Sequence, residues 1–236
     1  MRVEIMYGEL ANLLGEHGTQ NLLARTFGES NIVRTAFPKR PEFLGGDIDF
    51  VYMGPMTEQS QRLVLNAWRG LDDEFRDAIE RDVLFFFTGN ALDLVGRTIE
   101  YEEGETIEAL GLFSFDTYCM RYERRNEAVY GNFQAIDVMG FRSQFTTHRG
   151  DLQEHPFIHL KYGDGTIPDS QVEGIRKNRF FATELLGPFL VLNPLFTKWL
   201  FSLVGFGGRL PFEEALIRAY DVRKKDFCDS FTIQAD

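Results

Sequence analysis

Apolar and polar positions change their spacing along the chain, and the spacing predicts the elements. In the first third, strand-like and helical runs alternate: Arg2 to Tyr7, a helical stretch through Asn21 to Thr26, Ile32 to Ala36, then Ile48 to Met53. βαβ units read this way. From Glu58 to Arg81 the residues Leu63, Ala67, Leu71, Phe75 and Ile79 recur at every fourth position, which predicts a helix with these side chains along one side. Val83-Leu84-Phe85-Phe86-Phe87 follows without polar alternation, as expected of a parallel strand covered on both faces. Together these elements predict an α/β fold with a mostly parallel sheet flanked by helices.

The middle of the chain changes character. Leu110 to Tyr122, Glu127 to Met139 and Phe180 to Leu186 read as short strands of mixed polarity between charged turns, an antiparallel extension of the sheet. Two helical patterns close the chain, Pro194 to Leu203 and Pro211 to about Phe227, each with a proline placed for a first turn. The link Gly205-Phe206-Gly207-Gly208 is too short to separate domains, so residues 1–236 are expected to form a single domain.

Composition narrows the function classes. With 25 Lys and Arg against 36 Asp and Glu, the formal charge of -11 disfavours a broad electrostatic grip on nucleic acid or anionic lipid. The longest apolar stretch near the C-terminus is broken by Asn193, Pro194, Thr197 and Lys198, so no membrane insertion is expected. The first residues run into a strand pattern with no signal-peptide core, which predicts a cytoplasmic protein. Cys119 and Cys228 are too far apart for a metal-binding pair, and His17, His148, His155 and His159 lack ligand spacing. Neither metal nor cofactor is expected. The 23 phenylalanines read as packing residues rather than a cofactor stack.

Several segments carry a family pattern. Tyr7-Gly8-Glu9-Leu10-Ala11-Asn12-Leu13-Leu14-Gly15-Glu16-His17-Gly18 resembles the opening YxDLxNLYGDxG of the glutaminase subunits of lipid II isoglutaminyl synthases. Leu94-Val95-Gly96 and Glu103-Gly104-Glu105-Thr106-Ile107-Glu108-Ala109-Leu110-Gly111 match LLG and EGxxIEGLG at the same separation. Val138-Met139-Gly140-Phe141, Glu173-Gly174-Ile175, Gly187-Pro188 and Asn193-Pro194 follow in family order. The chain therefore resembles the class I glutamine amidotransferases of the cobyric-acid-synthase type. That resemblance implies a flavodoxin-like fold and, in active members, release of ammonia from glutamine for use by a ligase partner.

The same alignment implies a degenerate site. Members carry CGGxQLLG at a strand-to-helix elbow, where helix-start amides stabilise a thiolate and then an oxyanion. Here the stretch reads Phe87-Thr88-Gly89-Asn90-Ala91-Leu92-Asp93-Leu94-Val95-Gly96, which puts Gly89 at the cysteine position, with Thr88 a one-residue slip. The histidine of YLHGP, which acts as base and then acid, aligns with Leu186 in Leu185-Leu186-Gly187-Pro188. The arginine that holds glutamine aligns with Ala128. The glycine-rich oxyanion loop reads Met53-Gly54-Pro55, and a proline has no amide hydrogen to donate.

Thr88, Asn90 and Glu184 remain as candidate pocket residues. A threonine hydroxyl needs an adjacent base to become a nucleophile. Glu184 reads either as a new acid or base beside Leu186 or as an edge-strand carboxylate in solvent or paired to an arginine. Asn90 reads either as an amide that binds a small ligand or as a turn residue. His17 reads as a surface residue, His159 as a packing residue and Cys119 as a buried, inert thiol. The expected function is a non-catalytic glutamine-amidotransferase-like subunit that binds a Mur-ligase-like partner in peptidoglycan-precursor amidation, as one half of a bacterial heterodimer. The alternatives are a residual glutaminase or other enzyme in the altered pocket, and a sensor of a small-molecule ligand.

Overall fold

A computed structural model describes residues 1–150, 152 and 155–231 of the chain. The elements in chain order are β1 (Val3–Met6), α1 (His17–Phe27), β2 (Ile32–Thr35), β3 (Phe50–Met53), α2 (Glu58–Ala67), α3 (Asp72–Glu80), β4 (Leu84–Thr88), β5 (Thr98–Tyr101) and β6 (Thr106–Glu108). There follow β7 (Phe115–Cys119), β8 (Arg125–Phe133), β9 (Ile136–Gln144), β10 (Thr146–Gly150), β11 (Pro156–Tyr162), β12 (Val172–Lys177), β13 (Phe180–Thr183), α4 (Phe189–Leu192), α5 (Pro194–Ser202) and α6 (Glu213–Phe231).

Nine strands form one sheet in the order β2-β1-β3-β4-β13-β12-β11-β8-β9. The pairs from β2 through β13 are parallel, in the flavodoxin-like order, and those from β13 to β9 are antiparallel. A smaller sheet, β10-β7-β5-β6, packs beside it. The unbroken apolar run of β4 follows from this topology. Phe85 and Phe87 enter the core with α2, α3 and the small sheet, while Leu84 and Phe86 enter the core with α1, α4 and α5. Full burial of each such side chain stabilises the fold by roughly 1.5–3 kcal/mol.

Several expectations need correction. Glu58 to Arg81 is two helices, broken where Gly70 takes φ +78°. Leu63 and Ala67 face solvent, and the inner side of α2 is instead Gln61, Val64 and Leu65, continued by Trp68 after the helix ends. The fourfold spacing picked the wrong side because, at about 100° per residue, Leu63 and Ala67 each lie about 160° from the buried Leu65. Glu127 to Met139 is not one strand but the hairpin β8–β9, reversed around Gln134, whose φ is +53°. Phe180 to Leu186 is strand only to Thr183, and it belongs to the parallel part through its pairing with β4. At the C-terminus Pro194 does open α5, whereas Pro211 precedes α6.

Candidate functional site

Parallel strands of this order bring loops together at their carboxyl ends. β3 ends at Met53 and runs into Gly54-Pro55, β4 ends at Thr88, and β13 ends at Thr183 directly beside it. After Thr88 the chain turns sharply. Gly89 takes φ +58° and begins a 3-10 turn through Val95. Gly89 is thus an elbow in a conformation that L side chains rarely adopt.

Across from it, Leu186 lies just past β13, held by reciprocal backbone hydrogen bonds with Phe141 at 2.9 and 3.3 Å. A Cβ on Gly89 would sit 2.8 Å from Leu186 Cδ2 and 2.7 Å from Pro55 Cβ. The two positions and Pro55 therefore face one another around a cavity of about 230 Å³, which Met53 and Gly54 of the same loop do not line. Gly54 has no freedom to carry a side chain, since its Cβ would meet Ala11 O at 2.6 Å.

Ala128 is elsewhere. It sits on β8 opposite Phe141 and does not line the cavity. Thr88 is fully buried and also outside the cavity, with its Oγ1 3.4 Å from the Tyr52 hydroxyl. That hydroxyl donates to Glu16 Oε2 at 2.5 Å, and the same oxygen accepts from Thr19 Oγ1 at 2.7 Å. Burial pushes the Glu16 carboxyl above its ordinary range. Asn90 lines the cavity, but its amide is spent: Oδ1 accepts from Met56 N at 2.9 Å and Nδ2 donates to Met56 O at 2.8 Å. Asn90 thereby staples the Pro55 loop to the elbow.

Glu184 lies on no edge strand and is 1% exposed. It belongs to a buried chain of charges. His148 Nε2 is 2.7 Å from Asp93 Oδ1, and its Nδ1 is 3.1 Å from Glu184 Oε1. Arg142 Nε is 3.2 Å from Glu184 Oε2, and the guanidinium also pairs with Glu173 and Glu127. Glu173 accepts from Thr183 Oγ1 and Thr166 Oγ1, each at 2.8 Å, and from Glu184 N at 2.9 Å. Gln61 Nε2 donates to Asp93 Oδ2 at 3.0 Å.

Burial alone would depress the His148 pKa, but the Glu184 and Asp93 carboxylates outweigh it and hold the imidazolium up to about 10. Arg142 is raised in the same way, with Glu173, Glu184 and Glu127 overcoming its desolvation. Each of these buried ions is compensated by a partner, as burial requires. Sequence reasoning found Glu184 but missed His148, Asp93, Arg142 and Glu173 as one unit. Their one local signal is the alternation in β10, whose Thr146 and His148 point inward.

Cys119 is buried, and its thiol is pushed up to about 11 by burial, in keeping with an inert side chain. Among the described residues no group of three or more His, Cys, Asp or Glu side chains is placed to hold a metal ion, and no helix is long and apolar enough to cross a membrane.

No family model matches the chain. Among characterised proteins, subunit GatD of the glutamine-hydrolysing lipid II isoglutaminyl synthase of Staphylococcus aureus (strain N315) is 22% identical over 170 residues, which is 71% of this chain and 68% of the relative. Among solved structures, a glutamine amidotransferase superposes with a TM-score of 0.58 at 15% identity, over 87% of this chain and all 100% of the other. PurLQS from Thermotoga maritima gives 0.54 at 10% identity, over 86% and 96%. The fold is that of the glutamine amidotransferases, and the chain is amidotransferase-like in sequence.

Proposed function

We propose that this chain is a single-domain, cytoplasmic glutamine-amidotransferase-like subunit of the cobyric-acid-synthase type that does not hydrolyse glutamine, and that it works by binding a Mur-ligase-like partner in the setting of peptidoglycan-precursor amidation. The observation that carries the reading is the contact of Gly89 with Leu186 and Pro55. Where the resemblance places a thiol and an imidazole there is an elbow with no side chain, facing a hydrocarbon. Neither can attack a carbonyl or move a proton. Pro55 also removes one amide donor from the loop beside the elbow.

The partner half of the reading rests on the likeness to a subunit of lipid II isoglutaminyl synthase. A second enzyme built on Thr88 gains little support, because that hydroxyl is buried against Tyr52 and outside the cavity. Two measurements test the proposal. The purified chain, alone and with a Mur-ligase-like protein, is expected to release no ammonia from glutamine. Affinity purification of the native protein is expected to bring the ligase down in stoichiometric amount. Ammonia release above background, or recovery of the chain only as a free monomer, would refute it.

A further inference from the structure

The elbow cavity is bounded on one side by apolar groups and at its mouth by charge. At about 230 Å³ it exceeds the ~150 Å³ apolar cavity that takes up a benzene-sized guest. Pro55, Leu186 and the Cα of Gly89 form one wall. Leu13 and Leu14 stand at its rim, 38% and 48% exposed, and Leu14 holds a left-handed φ of +56°. Exposed leucines in a strained turn cost free energy that a bound apolar group would offset.

Most polar groups that reach the cavity are already engaged. Asn90 is tied to Met56, and Ser143 Oγ donates to Asn126 Oδ1 at 2.8 Å. Gln144 Nε2 donates to Thr146 O and to Glu184, and Glu184 is neutralised by His148 and Arg142. Two ionic side chains differ. Among the described residues, Arg124 and Glu58 line this cavity and neither has an ion-pair partner. The Arg124 guanidinium lies 5.1 Å over the Phe145 ring, and Glu58 opens α2.

We propose that the cavity binds a free α-amino acid with an apolar side chain of about the size of leucine. The ligand carboxylate pairs with Arg124, its ammonium with Glu58, and its side chain packs on Leu186, Pro55 and Leu14. An apolar wall rimmed by one cation and one anion matches that zwitterion, and a polar side chain laid against Leu186, Pro55 and Leu14 would lose water to groups that cannot hydrogen-bond it. The inference rests on the reading of the elbow as non-hydrolysing, because the same Leu186 that removes the base supplies the apolar wall.

Titration calorimetry on the full chain tests it with L-leucine, L-glutamine, 4-methylpentanoate, which lacks the ammonium, and 3-methylbutylamine, which lacks the carboxylate. Leucine is expected to bind, with each truncated analogue and glutamine weaker by roughly ten- to a hundredfold, the range of one charge-assisted contact. Arg124→Gln is expected to weaken leucine but not 3-methylbutylamine, and Glu58→Gln to weaken leucine but not 4-methylpentanoate. Both variants keep the wild-type melting temperature, since neither side chain is buried. Absence of leucine binding, glutamine binding as tightly as leucine, or an unchanged affinity in Arg124→Gln overturns the ligand assignment. Ammonia assayed on the same glutamine samples separates the two ideas: its release overturns the reading of the elbow, and a silent assay without leucine binding overturns the ligand alone.

Discussion

Gly89 and Leu186 stand face to face, so that a Cβ on the glycine would lie 2.8 Å from Cδ2 of the leucine. Ordinary van der Waals contact is longer, and Pro55 closes in from the third side at 2.7 Å. The space at the elbow is already filled.

Introducing a thiol alone should therefore fail. Gly89→Cys must adopt φ +58° and displace Pro55 or Leu186. Left-handed backbone and overpacking together cost roughly 2–5 kcal/mol. Urea unfolding is expected to record that loss, with ammonia release from glutamine still at background. A stable, active G89C protein would contradict the crowding described here.

Arg142 compensates three carboxylates from a position with no solvent exposure. Arg142→Met leaves Glu173 and Glu184 buried with less neutralisation, and breaking such a pair costs roughly 3–5 kcal/mol. Denaturant unfolding should give a loss of that size. A change smaller than that of an exposed pair such as Arg34–Glu29 would mean that the carboxylates find other partners.

His148 makes stability depend on pH. Its folded pKa is raised to about 10 from an ordinary value of 6.5, so the folded protein holds its proton where the unfolded chain releases it. The stabilisation is fully present below about pH 6.5 and is lost as pH rises towards 10, with a slope of at most roughly 1.4 kcal/mol per pH unit. Melting temperatures across that window should fall in the wild type and fall less steeply in His148→Gln.

Asn90→Ala removes both bonds that tie the elbow to Met56. A loss of about 1–3 kcal/mol is expected, with faster hydrogen exchange at the Met56 amide. Asn90→Asp keeps the acceptor for Met56 N and should retain more of that protection than Asn90→Ala.

The centre of the parallel half was legible because β1, β3 and β4 are short and buried on both faces, as in Val83 to Phe87. The side of α2 was misread because Gln61 is a buried polar residue and Leu63 an exposed apolar one, which inverts the usual pattern. The elbow and its partner could be aligned from landmarks on either side of Gly89 and Leu186. The charge chain could not, because His148 reaches Asp93 across 55 positions and Arg142 reaches Glu173 across 31, and local spacing carries no record of such pairings. Thr88 was misjudged for a simpler reason: successive residues at a strand end point opposite ways, and the one next to the elbow turns inward.

Asp93 follows Gly89 by four residues, Glu184 precedes Leu186 by two, and one imidazolium holds both carboxylates. The separation across the elbow is thus set from behind, by groups that take no part in what happens at 89 and 186. A frame anchored in that way tolerates exchange of its inserts. Once Pro55 is trimmed, new pairs of side chains can be written at the two positions without renegotiating the register between them, which makes the chain a starting point for installing chemistry.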